Sequence, residues 1–210
     1  MKKLTLLLIL IAIVASGCKN SKVPSEAKGD TTASSDPKAR VIEASQKFIA
    51  LKSLTGKIDA VAETSFKQQV EYVAPDRYHV VYRDDKGAEA EMIMAGNDAY
   101  IKEGDSWKKL PGETSPAPTM RNSFTEEALK SISDVKFEGE ESVNGKPAVV
   151  YSYNLVTVVG NFPVKQKIWV SKSSGLPMKC YVEYSNGAIK TLTTTFDTES
   201  PVTIELPSKN

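Results

Sequence analysis

The sequence predicts an α+β chain: a strongly curved antiparallel sheet wrapping around an N-terminal helix and a short central helix. Three observations lead there. Apolar residues recur at helical spacing in one early segment, Val41, Ala44, Phe48 and Leu51. From Lys57 onward the period drops to two, run after run, with turn residues between the runs. A meander of about nine or ten such strands cannot leave its edges open without inviting aggregation, and a sheet bent around helices removes that hazard.

The first residues are a targeting segment rather than part of the fold. Lys2 and Lys3 form a basic start, Leu4 to Val14 is apolar except for Thr5, and Ala15-Ser16-Gly17 precede Cys18. This is the layout of a secretory signal and is too short for a membrane span. The cysteine at the cut resembles a lipobox, with Ala15 where leucine is usual. The resemblance implies cleavage after residue 17 and lipidation of Cys18. Two or three acyl chains, at about 0.8 kcal/mol per buried methylene, then anchor the chain stably to a membrane. Lys19, in place of aspartate, implies an outer membrane facing the periplasm in a two-membrane host, and the cell membrane otherwise. Residues 18–35 carry Lys, Ser, Thr, Asp and Gly with Val23 as the one large apolar side chain, and read as a flexible tether. The domain proper is predicted over 36–210.

Asp36-Pro37 is an N-cap followed by a first helical residue. Gly56 is expected to follow the C-terminus of that helix. Strand runs then alternate Ile58, Ala60 and Ala62; Phe66, Val70 and Tyr72; Tyr78, Val80 and Tyr82; Ala90, Met92 and Met94. Lys86-Gly87 and Gly96-Asn97 separate them, and Gly104-Asp105 turns the next pair. Pro111 to Ser123, with three prolines and a glycine, is expected to be a loop. Ser123 or Thr125 caps a short helix with Phe124, Ala128, Leu129 and Ile132 on one side. Strands resume at Val135, with Asn144-Gly145 and Asn186-Gly187 as two-residue hairpin signals.

Certain segments resemble the LolA/LolB/LppX-like family of lipoprotein-sorting and lipid-carrier proteins. They are Tyr72-Val73-Ala74-Pro75-Asp76-Arg77-Tyr78; Gly96-Asn97-Asp98-Ala99-Tyr100 with Gly104 and Trp107; and Ile168-Trp169-Val170 with Gly175-Leu176-Pro177. Ser171 stands where that family often has aspartate. The resemblance implies a half-open barrel whose apolar cavity, between sheet and lid, holds acyl chains.

Composition excludes several functions. The whole chain carries a net charge of +1; loss of Lys2 and Lys3 with the signal leaves 25 basic against 26 acidic residues, so nucleic acid is not an expected partner. With Cys18 lipidated, Cys180 is a lone thiol in an apolar alternation, a small core residue. His79 is the one histidine and lies on a polar strand face with no nucleophile motif nearby, so no catalytic residues are predicted and the chain is read as no enzyme. One histidine and one usable cysteine do not make a metal site, and no cofactor is implied. Asp84-Asp85 and Glu138, Glu140 and Glu141 are read as solvated surface rather than paired acid–base groups. Trp107 lies near a hairpin tip, and Trp169 has the opposite parity to Ile168 and Val170.

The positive signal is a set of inward aromatic and thioether side chains: Phe48, Phe66, Tyr72, Tyr78, Tyr82, Met92, Met94, Tyr151, Tyr153 and Met178. Flexible thioethers suit a cavity that accepts chains of varied shape. The expected function is therefore a membrane-anchored, monomeric carrier or receptor for a lipid or an acylated polypeptide. The alternative is a non-enzymatic envelope interaction module whose core is filled and which takes no small ligand.

Overall fold

A computed structural model describes residues 36–111, 119–158, 160–185 and 187–207. The signal segment, Cys18, the tether and Asn186 lie outside the described residues. Eleven strands form one antiparallel sheet, one or two more than the periodicity predicts.

Helix α1 spans Pro37–Ile49. Asp36 caps it, its carboxylate accepting from Lys38 N at 3.0 Å, with Pro37 next in place. Ser45 is buried mid-helix and donates to Val41 O at 2.7 Å, so its hydroxyl is satisfied locally. The helix ends on Ala50 in the αR region, not on glycine. Gly56, expected as the helix stop, instead sits inside β1 (Ser53–Ala62). A Cβ there would lie 2.6 Å from Met120 Sδ, so the position is small because another segment crosses it.

The chain continues through β2 (Phe66–Val73), β3 (Arg77–Asp84), β4 (Glu89–Ala95), β5 (Asp98–Glu103) and the short β6 (Ser106–Lys109). A 3-10 turn at Thr119–Phe124 leads into α2 (Glu126–Lys130), whose N-cap Thr125 Oγ1 accepts from Ala128 N at 3.3 Å. Then come β7 (Ser133–Val143), β8 (Lys146–Val156), β9 (Pro163–Ser171), β10 (Pro177–Tyr184) and β11 (Ile189–Asp197). Asn144 (φ 51°) and Gly145 (φ 78°) make the predicted tight turn between β7 and β8.

The spatial order is β6-β5-β4-β3-β2-β1-β11-β10-β9-β8-β7. Two meanders are thus joined where β1 pairs with β11, Ile58 opposite Thr194 and Gly56 opposite Phe196. Bulges within β7, β10 and β11 bend the ribbon, and β6 and β7 remain unpaired edges, so the barrel stays open. Both edges are blunted: β6 is four residues long and ends Lys108-Lys109, and β7 is bulged and carries Lys136, Glu138 and Glu140.

The core lies on the inner face beneath the helices. Val41, Ala44 and Phe48 of α1 and Met120, Phe124, Leu129 and Ile132 of the central segment pack onto Leu54, Ile58, Val70, Tyr72, Tyr153, Ile168, Cys180 and Val182. Phe48 is completely buried, 4.5 Å from the ring of Phe124 and 4.7 Å from that of Phe196. A smaller cluster on the outer face gathers Val143, Ala148, Val150 and Trp169, with Met178 and Tyr181 against it.

Candidate ligand-binding hollow

Strand direction separates the molecule into two ends. The turns after β1, β3, β8 and β10 gather at one end; Asn144-Gly145, the β9–β10 turn and the α1–β1 junction gather at the other. Directly beneath α1 the space is filled by Phe48, Phe124, Phe196, Met120 and Tyr72. The apolar hollow lies instead at the first end, between the 3-10 turn and three hairpins.

This hollow has a volume of about 490 Å³. Phe66 and Gln68 come from β2, Asn122 and Ser123 from the 3-10 turn, and Thr157, Val158 and Phe162 from the β8–β9 connection. Tyr184, Ala188, Ile189 and Leu192 close the remaining side. The size falls within the roughly 300–1,000 Å³ of small-molecule sites, and few polar groups interrupt its lining. Burial pushes the Tyr184 hydroxyl above its ordinary pKa, so it faces the space as a neutral group. A second groove of about 460 Å³ lies at the opposite end, bordered by Lys57, Asn144, Lys146, Asp197 and Glu199. Its charged border, including the Lys146–Glu199 ion pair at 2.7 Å, does not suit an acyl chain.

Of the ten side chains expected in a cavity, Phe66 lines the hollow, with the ring of Tyr82 5.4 Å behind it. Phe48, Tyr72, Tyr151 and Tyr153 belong to the packed core. Tyr78 stacks at 5.1 Å on Tyr72, whose ring also carries the Arg121 guanidinium at 4.1 Å. Met92 and Met94 face inward on β4, opposite Val80 and Tyr78. Met178 does not face inward: the bulge between Pro177 and Lys179 turns it into the outer cluster around Trp169. The periodicity missed Val158 and Phe162. Their signal was present as large apolar residues in a hairpin turn, where polar residues are usual.

Tyr153 and Gln166 face each other across β8 and β9, one layer inside the hollow. Gln166 is 2% exposed and Tyr153 3%, and among the described residues neither the glutamine amide nor the tyrosine hydroxyl has a hydrogen-bond partner. Burial holds the Tyr153 hydroxyl protonated far above the usual range. Two neutral polar side chains are therefore set among Val164, Ile168 and Val182.

The titratable groups weighed as catalytic candidates have structural partners. His79 sits between two carboxylates on the outer face, Nδ1 2.9 Å from Glu71 and Nε2 3.0 Å from Glu91. Lys102 also reaches Glu91, at 2.7 Å, and this bond is the main reason that the Glu91 pKa lies below its ordinary value. Asp84 accepts from Lys86 N and Ala88 N in its own turn, and Asp85 accepts from Ser65 N. Glu140 pairs with Lys172, Glu141 accepts from Trp169 Nε1 at 2.7 Å, and Glu138 from Ser152. Cys180 is a free thiol, 4% exposed, with its pKa pushed far up by burial. Trp107 lies on β6 under the Lys102 ammonium.

No family model matches the sequence, and no curated protein matches it. Among solved structures, the lipoprotein LppX of Mycobacterium tuberculosis superposes with a TM-score of 0.63 at 14% identity, covering 80% of this chain and 98% of that one. LprF from Mycobacterium bovis superposes with a TM-score of 0.62 at 12% identity, covering 82% of this chain and 97% of that one. At such identities the likeness is one of fold: the chain has the half-barrel fold of LppX and LprF.

Proposed function

We propose that the chain is a membrane-anchored, non-catalytic lipoprotein of the cell envelope that binds a lipid or an acylated polypeptide in its apolar hollow. The hollow of about 490 Å³ carries this reading, because its wall of Phe66, Tyr184, Ile189 and Leu192 offers an acyl chain a dry surface. Burying one methylene contributes about 0.8 kcal/mol, so six or seven in contact offset the cost of immobilising the chain. The reading includes cleavage after Gly17, two or three acyl chains on Cys18 and a monomeric carrier. Lys19 points to the outer membrane where the host has two.

Purification without detergent, followed by mass spectrometry of an organic extract, should yield a co-purifying acyl species. The delipidated protein should take up a fluorescent fatty acid, and Leu192→Glu should abolish uptake while leaving the circular dichroism spectrum intact. Repeated absence of both ligand and uptake overturns the reading. It would leave an interaction module, the reading favoured by the solid packing beneath α1. Cys18→Ala should release the protein from membranes.

A further inference from the structure

The mouth of the hollow leaves two large apolar side chains in the open. Val158 is 40% exposed and Phe162 51%, and both also line the hollow. They flank a turn closed by Thr157 N donating to Phe162 O at 2.9 Å and Phe162 N donating to Thr157 Oγ1 at 3.1 Å. Gly160 (φ 83°) and Asn161 (φ 53°) supply the left-handed conformations of that turn. The turn geometry therefore makes no demand for valine or phenylalanine beside them. Exposed apolar groups continuous with a ligand groove are a feature of surfaces that meet a protein or a membrane.

The same end receives the start of the described chain. Lys38 Nζ, from the second residue of α1, donates to Ile132 O at 2.8 Å. The preceding residue, Ser131, accepts from Val156 N at 2.9 Å through its hydroxyl. The α1 N-terminus and the end of β8 are thus pinned to neighbouring residues after α2. Seventeen residues separate Cys18 from Asp36. A flexible coil of that many residues has a root-mean-square span of about 23 Å, so acylation of Cys18 would tether the bilayer to the helix start at this end.

We propose that the β8–β9 hairpin is a membrane-dipping lip. Val158 and Phe162 enter the acyl layer of the bilayer, and the hollow opens onto lipid rather than water. Ligand then passes between membrane and hollow without crossing solvent. This rests on the lipid-binding reading above, including acylation of Cys18.

The test uses the full mature lipoprotein reconstituted in vesicles of phosphatidylethanolamine and phosphatidylglycerol. Val158→Cys carries a polarity-sensitive fluorophore; Cys180 is buried with its thiol pKa raised and should not label. Lys52→Cys, exposed at the α1–β1 junction, is the control. Brominated acyl chains should quench and blue-shift the probe at 158 and leave the probe at 52 unchanged. In the second arm, Val158→Asp with Phe162→Asp, which also alters the wall of the hollow, should slow pick-up of fluorescent fatty acid from vesicles about tenfold more than it slows uptake from solution. An unquenched probe at 158, or equal slowing from vesicles and from solution, overturns the lip. Loss of uptake from solution in the unmutated protein overturns the binding reading instead, and the quenching measurement stands apart from it.

Discussion

The inner faces of the two meanders carry the same alternation and end in different surroundings. On β8, β9 and β10, Tyr153, Ile168, Cys180 and Val182 are fully buried. On β3 and β4, Tyr78, Val80, Tyr82 and Met92 point to the same side and are only half-buried; Met94 alone among them is fully covered. The difference is the lid. Helix α1 packs toward β7 and β10, and α2 toward β8, so the second meander receives the helices and the first receives few of their side chains. Alternation thus chooses a face, while burial depends on what another part of the chain lays across it.

Breaking the covered half should cost most. Phe48→Ala removes the ring that joins Phe124 to Phe196, and a loss of about 3–5 kcal/mol is expected in chemical denaturation. A loss below 1 kcal/mol would mean that the lid is not the main core. Gln166→Leu tests the same half in the opposite direction. Replacing a buried, unpartnered amide by a similar apolar volume should raise stability by about 1–3 kcal/mol, read as a higher urea midpoint at unchanged slope. The open half should respond weakly: Met92→Ala is expected to cost about 1 kcal/mol, because its site is already half in water.

The smallest effect concerns pH on the outer face of the open half. The Glu91 pKa is depressed in the folded state, chiefly by the Lys102 hydrogen bond. Its contribution to stability is therefore fully present above the unfolded carboxylate pKa, near 4.5, and is lost as pH falls through the lower folded value. Glu91→Gln should flatten the acid limb of the stability–pH curve by less than about 1 kcal/mol. An unchanged acid limb would remove the carboxylate from the account.

Much of this organisation was legible in the chain. Asp36-Pro37 and Thr125 mark helix starts through local hydrogen bonds, and Asn144-Gly145 marks a turn through its left-handed φ angles; such signals act within a few residues. Three features were not legible because distant groups decide them. Gly56 looks like a helix stop until Met120 is seen to cross it. Met178 has inward parity until a bulge displaces it. Phe48, Tyr72, Tyr151 and Tyr153, four of the ten expected cavity side chains, fill core, because α1 and the 3-10 turn occupy the space that alternation alone leaves open. Val158 and Phe162 escaped notice because period two carries no information within a turn.

Pairing of β1 with β11 has a consequence for how the chain is made. Thr55 meets Asp197, so the middle of the sheet is completed only when a strand distant in the sequence reaches β1. Contacts so far apart in sequence slow folding. A chain that stops before Ile189 holds two ribbons, each with a bare inner border, and such borders recruit other chains. Only a chain that runs through β11 hides them, which makes termination ahead of that strand, more than any single substitution, the lesion this architecture tolerates least.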